Sequence, residues 1–172
     1  MNGTLPRPRL VLCFGNELHG DDGFGPAVGR RLADDPARPL PPGWQLHQIG
    51  TRGLDALALL HDCAAAILVD AAEPQGQPGR LCTPDLAGMA PEPVLAGHGL
   101  GIGSLLQALH ALHDAAGPTP RPGPALRLLT AEMSALTPFR LGLSEAVEAA
   151  VAPAAAQVRQ WMEGFDTDVA FR

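Results

Sequence analysis

The stretch that most constrains this chain is a six-residue apolar run, RLVLCF (residues 9–14), stopped by Gly15 and followed by the loop GNELHGDDGFGP (15–26). A short, nearly continuous apolar run bounded by glycine reads as a strand buried on both faces, the kind found inside parallel sheets. Pro26 suits the first turn of a helix, where its missing N–H is not needed. The segment therefore reads as strand, tight loop, helix. This is the opening unit of an α/β fold, and the rest of the chain continues it.

Short apolar runs alternate with helical periodicity along the sequence. The pattern predicts strands over 9–14, 45–49, 65–69 and 125–130, with a further one over 80–83. Helices are predicted over 25–34, 54–61, 101–115 and 144–163, with Ser144 as N-cap and Glu145 and Glu148 in the first turns. Residues 84–97 read as irregular, and GPTPRPG (117–123) as a surface connection. Strands alternating with helices imply one domain over residues 1–172. It is a three-layer α/β sandwich with a twisted, mainly parallel sheet of about five strands and helices on both faces. Residues 1–8 and 164–172 are expected to be loose ends.

Composition removes several chemistries. The chain has 172 residues, 46% of them hydrophobic, enough for a core without disulfides or structural metal. All 12 basic residues are arginine, and the net charge is -6. Without lysine there can be no Schiff base, phosphate-cradle lysine or Ser-Lys dyad. The arginines are scattered, so no basic footprint for nucleic acid exists. Cys13, Cys63 and Cys82 form no CxxC pair, which argues against a zinc ribbon, a cluster or a disulfide framework. Cys13 and Cys63, in apolar surroundings, are expected as small core residues. No segment reads as a signal peptide or membrane span, and the expected location is the cytoplasm.

In an open parallel sheet ligands gather at the carboxyl ends of strands, near a topological switch point. The polar groups that follow strands are Asn16, Glu17, His19, Asp21 and Asp22 after the first; Gly50, Thr51 and Arg52 after the second; and Asp70 and Glu73 after the third. Gly15-x-x-x-x-Gly20 has the spacing of a phosphate loop, which would continue with Lys and Ser or Thr. Here Asp21 and Asp22 stand at those positions. Two carboxylates repel a phosphate and suit a cation. Either aspartate could instead cap the helix near Gly25; that reading is preferred for Asp21 alone, whereas two adjacent acids exceed what one cap requires. Asp70 is either a solvated strand-end acid or a site residue beside the first loop.

His98, flanked by glycines in GHGLGIG (97–103), reads as structural or solvated when taken as a lone histidine. Taken with Asp22 and Asp70 it completes an O, O, N donor set able to bind a first-row divalent metal with open positions. His110 and His113, with Asp114, read as an exposed helix end, and Ser104 as a helix residue. Glu132 reads as a loop acid near the site or an exposed residue. No HExxH or GxSxG signature is present.

These landmarks resemble the hydrogenase maturation endopeptidases. Their first loop follows G-N-x-L-x-x-D-[DE]-G-x-G, which residues 15–25 match throughout. The order of a Gly-Thr loop, an apolar strand ending in Asp, a glycine-flanked His before a helix, and TAEMSALTPFRLGLSEAV (130–147) agrees along nearly the whole chain. The resemblance implies removal of a C-terminal extension from a nickel-iron hydrogenase large-subunit precursor after nickel insertion. It implies no resident metal, the nickel arriving with the substrate and being read by Asp22, Asp70 and His98. Asp22 and Asp70 are the catalytic candidates, through aspartate chemistry or a metal-polarised water. Asn16, Asp21, Gly50 and Thr51 are the substrate-loop candidates. Ile49 stands where the family often has an acid before Gly-Thr. His47-Gln48 and Gly97-His98 resemble the group serving soluble NAD-linked hydrogenases. Two other readings remain: a non-catalytic metal-binding assembly factor, and a different metal-dependent hydrolase on the same fold.

Overall fold

The computed structural model describes residues 6–90, 101–115 and 122–165. Strand β1 (Arg9–Phe14) leads through a 3-10 turn at Asp21–Gly23 into helix α1 (Phe24–Ala33). β2 (Trp44–Gly50), α2 (Gly53–Asp62), β3 (Ala65–Ala72), the two-residue β4 (Leu81–Cys82), α3 (Ile102–Ala115), β5 (Ala125–Glu132) and α4 (Glu145–Glu163) follow. The sheet order is β2-β1-β3-β5-β4. The first four strands in that order run parallel, and β4 is an antiparallel edge strand.

Alternation along the strands assigns each face its helices. Val11, Cys13, Ile67, Val69 and Leu129 pack with Phe24, Val28 and Leu32 of α1 and with Val147, Val151 and Val158 of α4. Leu10, Leu12, Phe14, Leu68 and Leu128 pack with Ala56 and Leu60 of α2 and with Ile102, Leu105 and Leu109 of α3. Two buried apolar layers with a sheet between them make the expected three-layer sandwich. The strands are apolar on both sides because both sides are covered.

The order places β1 inside the sheet, with β2 on one side and β3 on the other. The connection through α1 lies on one face, and that through α2 on the other. The switch point is thus the gap between the carboxyl ends of β1 and β3. Two ends of the described chain are tied down. Arg7 donates to the backbone oxygens of His61, Asp62 and Pro122, and Phe165 is buried edge-on against Trp44.

Candidate functional site at the carboxyl edge of the sheet

The first loop is folded back on itself by its glycines. Gly15 has φ 121, and a Cβ there would lie 1.9 Å from the carbonyl oxygen of Asp22. Only glycine fits such a close backbone approach. The Gly15 N–H donates to the carbonyl of Gly50 at 3.1 Å, tying the loop to the end of β2. Gly25 does the same job at the other end: a Cβ would sit 2.1 Å from the oxygen of Phe14 and 2.8 Å from that of Val69. The start of α1 is therefore seated directly on the ends of β1 and β3, one residue before Asp70.

Asp22 is half-buried and turned toward the base of this loop, where its Oδ2 accepts the Asn16 N–H at 2.8 Å. Asn16 Oδ1 accepts the Leu18 N–H at 3.0 Å. Asp70 lies across the switch point, half-buried in β3 and paired in register with Thr130 of β5. Its Oδ1 accepts the Ala71 N–H at 2.8 Å. Burial, reinforced by the negative charge of Asp70, pushes the Cys13 thiol up to about 12. Burial likewise pushes Cys63 up to about 12. Neither is a nucleophile at neutral pH, in keeping with their place in the core.

Asp21 belongs elsewhere. It is 2% exposed, and its carboxylate accepts the N–H and hydroxyl of Ser134 and the N–H and hydroxyl of Ser144. Burial acts to raise its pKa, but these hydrogen bonds outweigh it and hold the carboxyl below the usual aspartate range. Neither Asp21 nor Asp22 caps the turn or α1, whose N-caps have no side-chain hydrogen bond. Asp21 instead serves the start of α4. Ser144 occupies the expected N-cap position, but its hydroxyl is committed to Asp21 rather than to its own helix. The substrate-facing expectation for Asp21 gives way to a clamp joining the first loop to the β5–α4 loop.

Glu132 is also corrected. It is the last residue of β5 and 2% exposed, neither a loop acid nor a surface one. Its Oε1 accepts the N–H groups of Gln75 and Gln77 at 2.5 and 2.6 Å, with Arg80 at 3.4 Å from Oε2. Burial opposes ionisation, yet these donors hold its pKa below the usual range. It organises the β3–β4 connection.

Between the first and second loops opens a cleft of about 530 Å³, lined among others by Gly15, Asn16, Arg30, Gly50, Thr51 and Arg52. Asn16, Gly50 and Thr51 thus line one cavity. Ile49 also lines it and packs into the α2–α3 core, 4% exposed. Arg30 pairs with Glu17 and Arg52 with Asp55 at the cleft's rim. Nothing local in the sequence marks Arg30 or Ser134, and Ser144 reads there only as an N-cap. Gln48 Nε2 donates to the Pro26 carbonyl at 3.1 Å, fixing α1 against β2, and such long-range partners leave no local signal.

His98 lies outside the described residues. Among the described residues no group of three His, Cys, Asp or Glu side chains could hold a metal. His110 stays on its helix, its Nδ1 2.9 Å from the Leu106 carbonyl.

Fold and site together define a doubly wound α/β protein with one aspartate on each side of its switch point and a cleft between its β1 and β2 loops. No family model matches the chain. Among solved structures, the hydrogenase maturating endopeptidase HybD of Escherichia coli superposes with TM-score 0.70 at 25% identity, covering 92% of this chain and 93% of that one. The hydrogenase 2 maturation peptidase of a Thaumarchaeota archaeon gives TM-score 0.62 at 30% identity, over 94% of this chain and 100% of that one. The hydrogenase expression/formation protein HupD of Rhodobacter capsulatus is 40% identical over 83 residues, 48% of this chain but only 39% of its own length. The chain belongs to the hydrogenase maturation endopeptidase family.

Proposed function

We propose that this protein is an endopeptidase that removes the C-terminal extension of a nickel-iron hydrogenase large-subunit precursor once nickel has been inserted. The observation that carries the reading is that Asp22 follows β1 and Asp70 lies toward the carboxyl end of β3, the two strands that flank the switch point, with the start of α1 seated on both strand ends through Gly25. Two carboxylates there suit a cation delivered by a substrate. A third donor is supported by topology. α3 precedes the parallel strand β5, so its first residue, Ile102, lies at the carboxyl edge, in the same apolar cluster as Phe14. His98 precedes it by four positions.

On this reading Asp22, Asp70 and His98 contact the precursor's nickel, which registers the scissile bond against the cleft. The extension lies along Asn16, Gly50 and Thr51. Water attacks the peptide carbonyl, Asp22 or Asp70 takes its proton as the general base, and that proton passes to the departing amine nitrogen as the C–N bond breaks. The nickel belongs to the substrate, and the protein carries no metal of its own. The reaction is proposed to take place in the cytoplasm; no helix of the described residues is long and apolar enough to cross a membrane.

The test uses purified nickel-loaded precursor and intact mass. Wild type is expected to shorten it by one C-terminal peptide, and Asp70→Asn and His98→Ala to slow cleavage at least about 100-fold. Unchanged cleavage by both variants refutes the site. Binding without any loss of mass identifies an assembly factor instead. Comparing precursors of NAD-linked and membrane uptake hydrogenases reads out the subgroup.

A further inference from the structure

Five large apolar side chains are exposed among the described residues, and four of them share one lip. These are Leu18 at 55%, Leu136 at 40%, Phe139 at 92% and Leu141 at 76%; the fifth, Leu112, is on α3. The lip is the first loop joined to the β5–α4 loop by bridges between His19 and Arg140 and between Gly20 and Leu136. Its exposure is not slackness. The Gly20 N–H donates to the Arg140 carbonyl at 2.8 Å, and Asp21 holds Ser134 and Ser144 at the two ends of the loop. Phe139 is the one described non-glycine residue with positive φ, 57, and the His19 ring meets its ring edge-on at 6.2 Å. A phenylalanine held in the left-handed region costs free energy, and here that cost displays an aromatic ring to solvent.

We propose that this lip docks the folded body of the protein substrate, whose matching surface is apolar and carries a carboxylate opposite Arg140. The inference rests on the peptidase reading above. Leu18 lines the cleft and also belongs to the lip, so a protein whose tail enters the cleft lays its surface on Phe139 and Leu141. Arg140 is the sole charged residue between Met133 and Ser144, in a chain of net charge -6. An anchored aromatic beside one cation, already ordered before contact, is the composition of an interface hot spot. The lip thus selects the precursor, while Asp22 and Asp70 act on its tail.

Phe139→Gly is the cleanest probe, because glycine accepts φ 57 without strain and the fold keeps its loop. With nickel-loaded precursor, Phe139→Gly and Leu141→Ser are expected to raise KM about tenfold or more and to change kcat by less than about twofold. Leu112→Ser, away from the lip, should leave both unchanged. Arg140→Glu should weaken binding further, and added salt should narrow its difference from wild type. If wild type cleaves and the lip variants match it, docking here is wrong and the peptidase reading stands. A fall in kcat at unchanged KM also overturns it. If wild type leaves the precursor uncut, the peptidase reading fails. Equilibrium binding of intact precursor then decides the lip: weaker binding by both lip variants supports it, and equal binding overturns it. A wild-type dimer that Phe139→Gly converts to monomer assigns the lip to a second copy of this chain and overturns the proposal.

Discussion

Asp21 accepts four hydrogen bonds from two serines more than a hundred residues away in sequence. Asp21→Asn keeps the size but loses the charge and part of the acceptor capacity, so the buried side chain holds the Ser134 and Ser144 donors less tightly. A loss of about 1–3 kcal/mol in unfolding free energy is expected, measurable by urea denaturation. The same clamp sets an acid sensitivity. The folded pKa of Asp21 lies below its ordinary value of 3.8, so the clamp's contribution is complete above that value and fades as pH falls through the folded one. Wild type should lose stability below about pH 4 more steeply than Asp21→Asn does. The sequence distinguishes Asp21 from Asp22 only weakly. Both are acids in one glycine-rich loop, and what separates them is the direction of each side chain. Asp22 turns in toward Asn16, and Asp21 turns out toward Ser134 and Ser144. A cap for the adjacent helix was the nearest local explanation for Asp21. The structural role was the correct kind, but the helix served is α4.

At the scale of elements, β1 was legible to the residue, since an apolar run ended by glycine has one reading. β3 and β5 read short, at Val69 and Thr130, because Asp70 and Thr130 look like strand ends. They pair with each other instead, and the ladder runs on through Ala71–Ala131 and Ala72–Glu132. The extension persists because Glu132 and Arg80 hold the β3–β4 connection against it. β4 is two residues where four were expected, an antiparallel edge strand paired only with β5. Two glycines of the first loop, Gly15 and Gly25, make room for backbone. Gly25→Ala should therefore cost about 3 kcal/mol or more, because the neighbouring atoms are main-chain oxygens of β1 and β3 that cannot move aside. Thermal denaturation checks the loss. Gly76→Ala is the contrasting control: nothing lies near its Cβ, so only the cost of its φ of 96 applies.

At the scale of the molecule, the alternation of strands and helices fixed the layers, and the layers fixed where a site could be. The positions of Asp22 and Asp70 follow from strand order, while the cleft with Arg30 and Arg52 at its rim appears only when the β1 and β2 loops meet. The same architecture bears on metal dependence. Each face of the sheet carries its own buried apolar cluster, with Phe24, Leu32 and Val158 on one side and Leu12, Leu68 and Leu105 on the other. Burial of that kind contributes roughly 1.5–3 kcal/mol per large side chain and does not involve the carboxyl edge. A cation at Asp22 and Asp70 would touch the 3-10 turn and the carboxyl end of β3, not the core. Stripping with a chelator should thus leave the melting temperature of the isolated protein unchanged, and elemental analysis should find less than stoichiometric metal. Cleavage should follow the nickel content of the precursor, with apo-precursor left intact and added nickel salt alone unable to replace insertion. Stoichiometric zinc in the isolated protein, with a melting temperature that falls on chelation, would transfer the site to a hydrolase with its own metal.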